Sequence, residues 1–211
     1  MREHRRALLW LVLLWLVGCA RLEEPRFSPG EGWIPLFNGK DLSGWRVVGR
    51  YPSTWRVVNG VLEAPSPSDN IYTEEKFLDF RLHLEFKLPK DGNSGVFLRG
   101  RKEVQLYDNW GDDDLDESDC GGVFGKVAPK VNACKPPGQW NSLDVTMVGS
   151  RITVVLNGKT TVDGAEVRGA TGWQLDENEG APGPIMLQGD HTPVAFRNIW
   201  LKPLPRKRSA Q

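Results

Sequence analysis

Residues 79–108 read DFRLHLEFKLPKDGNSGVFLRGRKEVQLYD, and their alternation decides the fold. In the first part Phe80, Leu82, Leu84, Phe86 and Leu88 share one parity, and Arg81, His83, Glu85 and Lys87 share the other. Period-two alternation marks a β-strand with one face in a core and one toward water. The stretch Asp91-Gly92-Asn93-Ser94-Gly95 supplies turn residues, and the chain then re-enters as a strand. In the returning strand Arg99, Arg101, Glu103, Gln105 and Tyr107 fall on one parity. Charged and amide groups along one sheet face cost stability in a plain scaffold, so this stripe is expected to floor a polar-ligand site.

Outward from this hairpin the same signals repeat. Short apolar or alternating runs fall at 34–37, 45–48, 55–58, 61–64, 71–73, 80–88, 95–100, 103–107, 143–148, 152–156, 160–162, 185–188 and 195–201, separated by Gly, Pro, Asn and Asp. The run 143–148 returns as 152–156 through Gly149-Ser150-Arg151, and Asn157-Gly158 supplies the next turn. No amphipathic helix longer than two turns is evident. The pattern predicts an all-β jelly-roll β-sandwich, whose curved sheets leave a concave face.

The chain has 211 residues with 27 basic and 27 acidic groups. Arg2, Arg5 and Arg6 precede an apolar run from Ala7 to Val17, a run too short to span a bilayer. Residues 1–18 are expected to be a signal peptide, and Leu16-Val17-Gly18-Cys19 resembles a bacterial lipobox. Cys19 would carry acyl chains that hold the protein on a membrane of the cell envelope, with 19–32 as a tether. The other expectation is an ordinary secretory signal. Removing Arg2, Arg5, Arg6 and Glu3 takes the counts from 27 and 27 to 24 basic and 26 acidic residues, which leaves no positive surplus for nucleic acid. The domain is expected over 33–204, with a short basic tail at 205–211. With Cys19 acylated, Cys120 and Cys134 remain as a pair. A disulfide would close a loop of about 15 residues and contribute about 3 kcal/mol; two reduced thiols are the alternative.

Two constellations offer chemistry. Asn93, Arg99, Glu103, Gln105 and Asp108 cluster in one segment. A carboxylate and an amide two residues apart on a strand suit sugar hydroxyls, which both donate and accept. Arg99 on the same parity would hold Glu103 ionised, or stabilise a developing oxyanion. The second is Gln188-Gly189-Asp190-His191 with Arg197 beyond it, where a histidine at a strand end can shuttle protons. Trp110 and Trp173 sit in polar loops and are candidates for stacking on a sugar ring. The acidic run 112–119 lacks the glycine and glutamate spacing of a calcium loop and reads as a solvated loop.

At LFNGKDLSGW (36–45), WRVVNGVLEA (55–64), DFRLHLEFKLPKDGNSGVFLRG (79–100), EVQLYD (103–108), GGVFGKVAPKVNACKPPGQWNSLDVTMVG (121–149), ITVVLNGK (152–159) and GPIMLQGDHTPVAFRNIWLKPL (183–204), the chain resembles the 3-keto-disaccharide hydrolase domain family of bacterial lipoproteins. The resemblance implies a concanavalin-like jelly roll and glycosides oxidised at C3. Such a substrate is cleaved by C2 proton abstraction, elimination of the aglycone and hydration. On that reading Glu103 and His191 supply base and acid in an open order, and Arg99 and Arg197 stabilise the enolate. Asn93, Gln105 and Gln188 hold hydroxyls, with Asp108 beside them. A divalent metal at Glu103, Asp108 or His191 is the alternative Lewis acid. An oxidoreductase must make the keto sugar first, since the chain has no dinucleotide fingerprint. Thr192 stands where the family commonly has glycine, a departure expected to lie off the site. The competing functional expectation is a non-catalytic carbohydrate-binding lipoprotein.

Overall fold

The structure is a computed structural model and describes residues 27–49 and 52–205. The leader, Cys19 and all but the first residue of the basic tail lie outside the described residues. Thirteen strands follow the turn signals: β1 (Ile34–Pro35), β2 (Trp45–Val48), β3 (Arg56–Val58), β4 (Val61–Ala64), β5 (Asn70–Thr73), β6 (Phe80–Lys87), β7 (Asn93–Leu98), β8 (Lys102–Tyr107), β9 (Asn141–Val148), β10 (Arg151–Leu156), β11 (Lys159–Glu166), β12 (Met186–Leu187) and β13 (Val194–Pro203). No helix occurs among the described residues.

Two antiparallel sheets face each other as a concanavalin-like jelly roll. One sheet has eight strands in the order β11-β10-β9-β6-β13-β4-β3, with β1 also paired to β13. The other has five, in the order β2-β5-β12-β7-β8. Phe80, Leu82, Leu84 and Phe86 of β6 are buried against Val96, Leu98, Val104 and Leu106 of the five-stranded sheet. Each such side chain contributes about 1.5–3 kcal/mol by leaving water.

The outward face of β6 differs from the expected wet face. His83 and Glu85 are both buried. The Phe27 ring stacks on His83 at 3.7 Å between centroids, while Glu85 accepts hydrogen bonds from Arg197 Nε (2.6 Å) and Asn198 Nδ2 (2.7 Å).

Two hairpin turns matter downstream. Asn157 and Gly158 both have positive φ (49° and 78°), the type I′ geometry that Asn-Gly favours. Between β7 and β8 the same geometry falls on Arg99 (φ 53°) and Gly100 (φ 66°), closed by Arg101 N–H donating to the Leu98 carbonyl at 3.1 Å. The sequence reading carried strand parity through Arg99. The chain instead turns there, and Arg99 leaves the stripe.

Candidate functional site

The outer face of the five-stranded sheet carries a cavity of about 210 Å³. On β8 the residues at 103 and 105 point outward while Val104 and Leu106 enter the core. Asn93 and Phe97 of β7 share that outer face, and Gln188 follows β12. His191 and Asp190 overhang from the loop beyond Gln188. Trp173, Gly172 and Phe124 close a wall, and Asn70 a corner. The structure therefore brings together Asn93, Glu103, Gln105, Gln188 and His191.

Glu103 is 5% exposed and lies across Gly95. A Cβ at position 95 would overlap Glu103 Oε1, so only glycine leaves room for the carboxyl group. Burial, reinforced by the negative charge of Asp190, pushes the Glu103 pKa up to about 8. The group is thus neutral at pH 7. The sequence reading, with Arg99 holding it ionised, is reversed.

Asp190 also holds the histidine. Its Oδ1 lies 2.8 Å from His191 Nδ1, leaving Nε2 as the free ring nitrogen. Below them Gln105 Nε2 donates to Asn93 Oδ1 at 3.2 Å. Gln188 is 7% exposed, and its buried Oε1 has no partner. An unpaired buried carbonyl costs about 1–3 kcal/mol, so it is poised for a donor such as a hydroxyl. Trp173 stands edge-on to Phe97, with ring centroids 6.0 Å apart.

Three expected site residues lie elsewhere. Arg99, turned out at the hairpin, donates to the Leu78 carbonyl (2.6 Å) and pairs with Asp79 (3.0 Å). Arg197 lies on the eight-stranded sheet, beside a register break in β13 where Asn198 has φ 52°. It pairs with Glu85, and its guanidinium lies 4.1 Å from the centroid of the Trp140 ring. Asp108 accepts the Asp91 N–H at 2.9 Å and closes the turn before β7. Asp108 is therefore not among the residues lining the cavity with Glu103 and His191. No group of three or more metal-ligating side chains occurs among the described residues.

Cys120 and Cys134 adjoin each other as free thiols, the reduced alternative of the sequence reading. The Cys120 contact and burial raise the Cys134 pKa, and its Sγ reaches Asn109 Oδ1 at 3.3 Å. Trp110 is 57% exposed and is not among the residues lining the cavity, whereas Trp173 is.

Buried cations of the β7–β8 hairpin hold the wall that carries Trp173. Arg101 forms a two-bond pair with Asp176 (2.7 and 2.8 Å), and Lys102 Nζ donates to the Gly169 carbonyl (2.7 Å). Thr171 Oγ1 accepts the Glu103 N–H at 2.7 Å. The segment 169–181 is strapped over the sheet on both sides of Trp173.

Sequence reasoning named Asp190 beside His191 but gave it no role, and it gave none to Phe97, Asn70 or Phe124. Phe97 carries a signal in hindsight: it shares parity with Gly95 and Asn93.

A family model described as a 3-keto-alpha-glucoside-1,2-lyase-like domain matches residues 32–202. A 3-keto-disaccharide hydrolase from Bacteroides thetaiotaomicron is 33% identical over an alignment of 97 residues that covers 41% of this chain and 33% of that protein. The match thus spans about a third of that relative's length. A crystal structure of a Parabacteroides distasonis protein, provisionally named a glycosyl hydrolase, superposes with a TM-score of 0.69 at 32% identity, covering 82% of this chain and 84% of that one. The Bacillus licheniformis beta-glucanase superposes at 0.52 with 13% identity, over 85% of this chain and 100% of that one, and shares the fold.

Proposed function

Because the chain belongs to the 3-keto-alpha-glucoside-1,2-lyase-like family, we propose that it cleaves glycosides already oxidised at C3, by elimination and rehydration. The observation that carries this reading is the pairing of a neutral Glu103 with a histidine held by Asp190 in one small pocket. A carboxyl group kept protonated by burial can give a proton, and an imidazole with one ring nitrogen free can take one. His191 Nε2 is the base and Glu103 the acid.

A ketone at C3 acidifies the C2–H bond. His191 takes the C2 proton, and the electron pair passes into the C3 carbonyl as an enolate. Collapse of the enolate expels the C1 oxygen, which takes the Glu103 proton and departs as the free alcohol. Water then adds to C1 of the enone, giving its proton to Glu103 while His191 returns one to C2. Each group ends as it began, and the net change is hydrolysis. With Arg99 and Arg197 elsewhere, the amide groups of Asn93, Gln105 and Gln188 are the neutral donors nearest the oxo group. The Gln188 carbonyl takes a ring hydroxyl. The cavity, smaller than the roughly 300–1,000 Å³ of common ligand pockets, suits one sugar ring against Trp173 and Phe97.

The test is purified protein with a 3-keto-glucoside bearing a chromogenic aglycone. Wild type should release the aglycone, while Glu103→Gln and His191→Gln should lose about 10²–10⁴-fold in turnover. Binding of the sugar without release by wild type would leave a carbohydrate-binding protein and refute the catalytic reading.

Two further parts of the proposal concern setting. The substrate comes from oxidation of a C3 hydroxyl by a separate oxidoreductase. The protein is exported and lipid-anchored through Cys19, as incorporation of labelled palmitate by wild type and not by Cys19→Ala would demonstrate.

A further inference from the structure

The three residues Gly189, Asp190 and His191 form an excursion between two points tied to β7. At one end the ladder is regular: Gln188 N–H donates to the Gly95 carbonyl (3.0 Å), and Ser94 Oγ donates to the Gln188 carbonyl (2.8 Å). At the other end no strand pairing remains, and one hydroxyl takes its place. Asn93 N–H donates to Thr192 Oγ1 at 2.7 Å, and Thr192 Oγ1 donates to the Asn93 carbonyl at 2.9 Å. The hydroxyl thus gives and accepts as a backbone partner would. Contrary to the sequence expectation, Thr192 is bonded directly to a residue of the site.

Gly189 N–H donates to Asn70 Oδ1 (2.8 Å) and its carbonyl accepts Ser68 N–H (2.7 Å), which secures the near end of the excursion only. Beyond it the His191 side chain is 46% exposed and that of Asp190 38%, so packing does not fix them.

We propose that Thr192 is a positioning residue that fixes the Asp190–His191 pair over the pocket. This rests on His191 as the base of the proposed reaction. An imidazole displaced by about 1 Å from its proton can cost on the order of 10²-fold in rate. On the same reading the sugar ring rests on side chains that Thr192 does not touch, those of Gln188, Gln105, Trp173 and Phe97, and Thr192 bonds only the backbone of Asn93, so it should act on turnover more than on substrate affinity.

The test compares wild type, Thr192→Ser, Thr192→Val, Thr192→Ala and His191→Gln for kcat, KM and backbone amide exchange. Thr192→Val and Thr192→Ala lack the hydroxyl, and either suffices if the other does not fold. They should lose roughly 10–100-fold in kcat, with KM within about threefold. The Asn93 amide should exchange faster in both, while Val96 stays protected. Thr192→Ser keeps the donor and acceptor and should restore both readouts. Equal loss in the serine and valine variants would overturn the proposal, because the methyl group would then be the determinant. Unchanged kcat in Thr192→Val alongside an inactive His191→Gln would also overturn it. A His191→Gln variant at wild-type turnover refutes the underlying reading instead, and the Asn93 exchange still reports separately whether the clamp exists.

Discussion

Replacing Glu103 with glutamine removes a proton-binding group that the fold keeps neutral, and the result should appear in stability as well as in rate. The unfolded carboxyl titrates near 4.5 and the folded one near about 8. Between those values the folded state binds one proton more than the unfolded state, so stability falls as pH rises. Below the lower value both states are protonated and nothing is lost. Above the upper value the loss is complete, at most about 5 kcal/mol for a shift of this size at 1.36 kcal/mol per unit. Glutamine has the same shape and does not titrate. Urea unfolding of wild type and Glu103→Gln across this range should give a difference that grows in favour of the variant from about pH 4.5 to pH 8. Other titrating groups cancel in that difference. The same variant should be catalytically impaired, and wild-type turnover should fall as pH rises through about 8. A pH-independent stability difference would refute the raised pKa, and with it the assignment of Glu103 as proton donor.

Asp190→Asn removes the negative charge that reinforces the Glu103 shift and takes the acceptor from His191. The alkaline limb of the pH–rate profile should move to lower pH, and kcat should fall about a hundredfold or more. Asp176→Ala leaves the buried Arg101 guanidinium without its carboxylate and loosens the strap carrying Trp173. In steady-state kinetics, KM should rise about tenfold, a loss near 1.4 kcal/mol, with kcat little changed. Cys120 and Cys134 adjoin each other, and in an oxidising compartment they should close a disulfide. Intact-mass measurement of protein kept under oxidising conditions should show the loss of two hydrogens, and reduction should cost about 3 kcal/mol in chemical unfolding.

The fold was legible because its decisive signal is local. Alternation in β6 and turn chemistry at 157–158 depend on neighbours a few residues apart. The Glu103–Gln105 pair was legible for the same reason. Arg99 failed because a type I′ turn on Arg-Gly looks, in sequence, like a continuing strand. Arg197 failed for a topological reason: β12 and β13 are consecutive but belong to different sheets. Residues a short way apart in the chain therefore face opposite sides of the sandwich. The proton on Glu103 was out of reach because it depends on burial and on Asp190, both products of tertiary structure. Thr192 was visible as a departure from the family, but its partner lies 99 positions away.

Phe27 stacks on His83 on the outer face of the eight-stranded sheet, while the pocket opens on the outer face of the five-stranded one. The chain therefore enters the domain from the back. If the proposed acyl anchor at Cys19 holds the protein, that support would lie on the side of Phe27, away from the opening. The mouth would then face outward, and a diffusing ligand could approach it without passing the attachment.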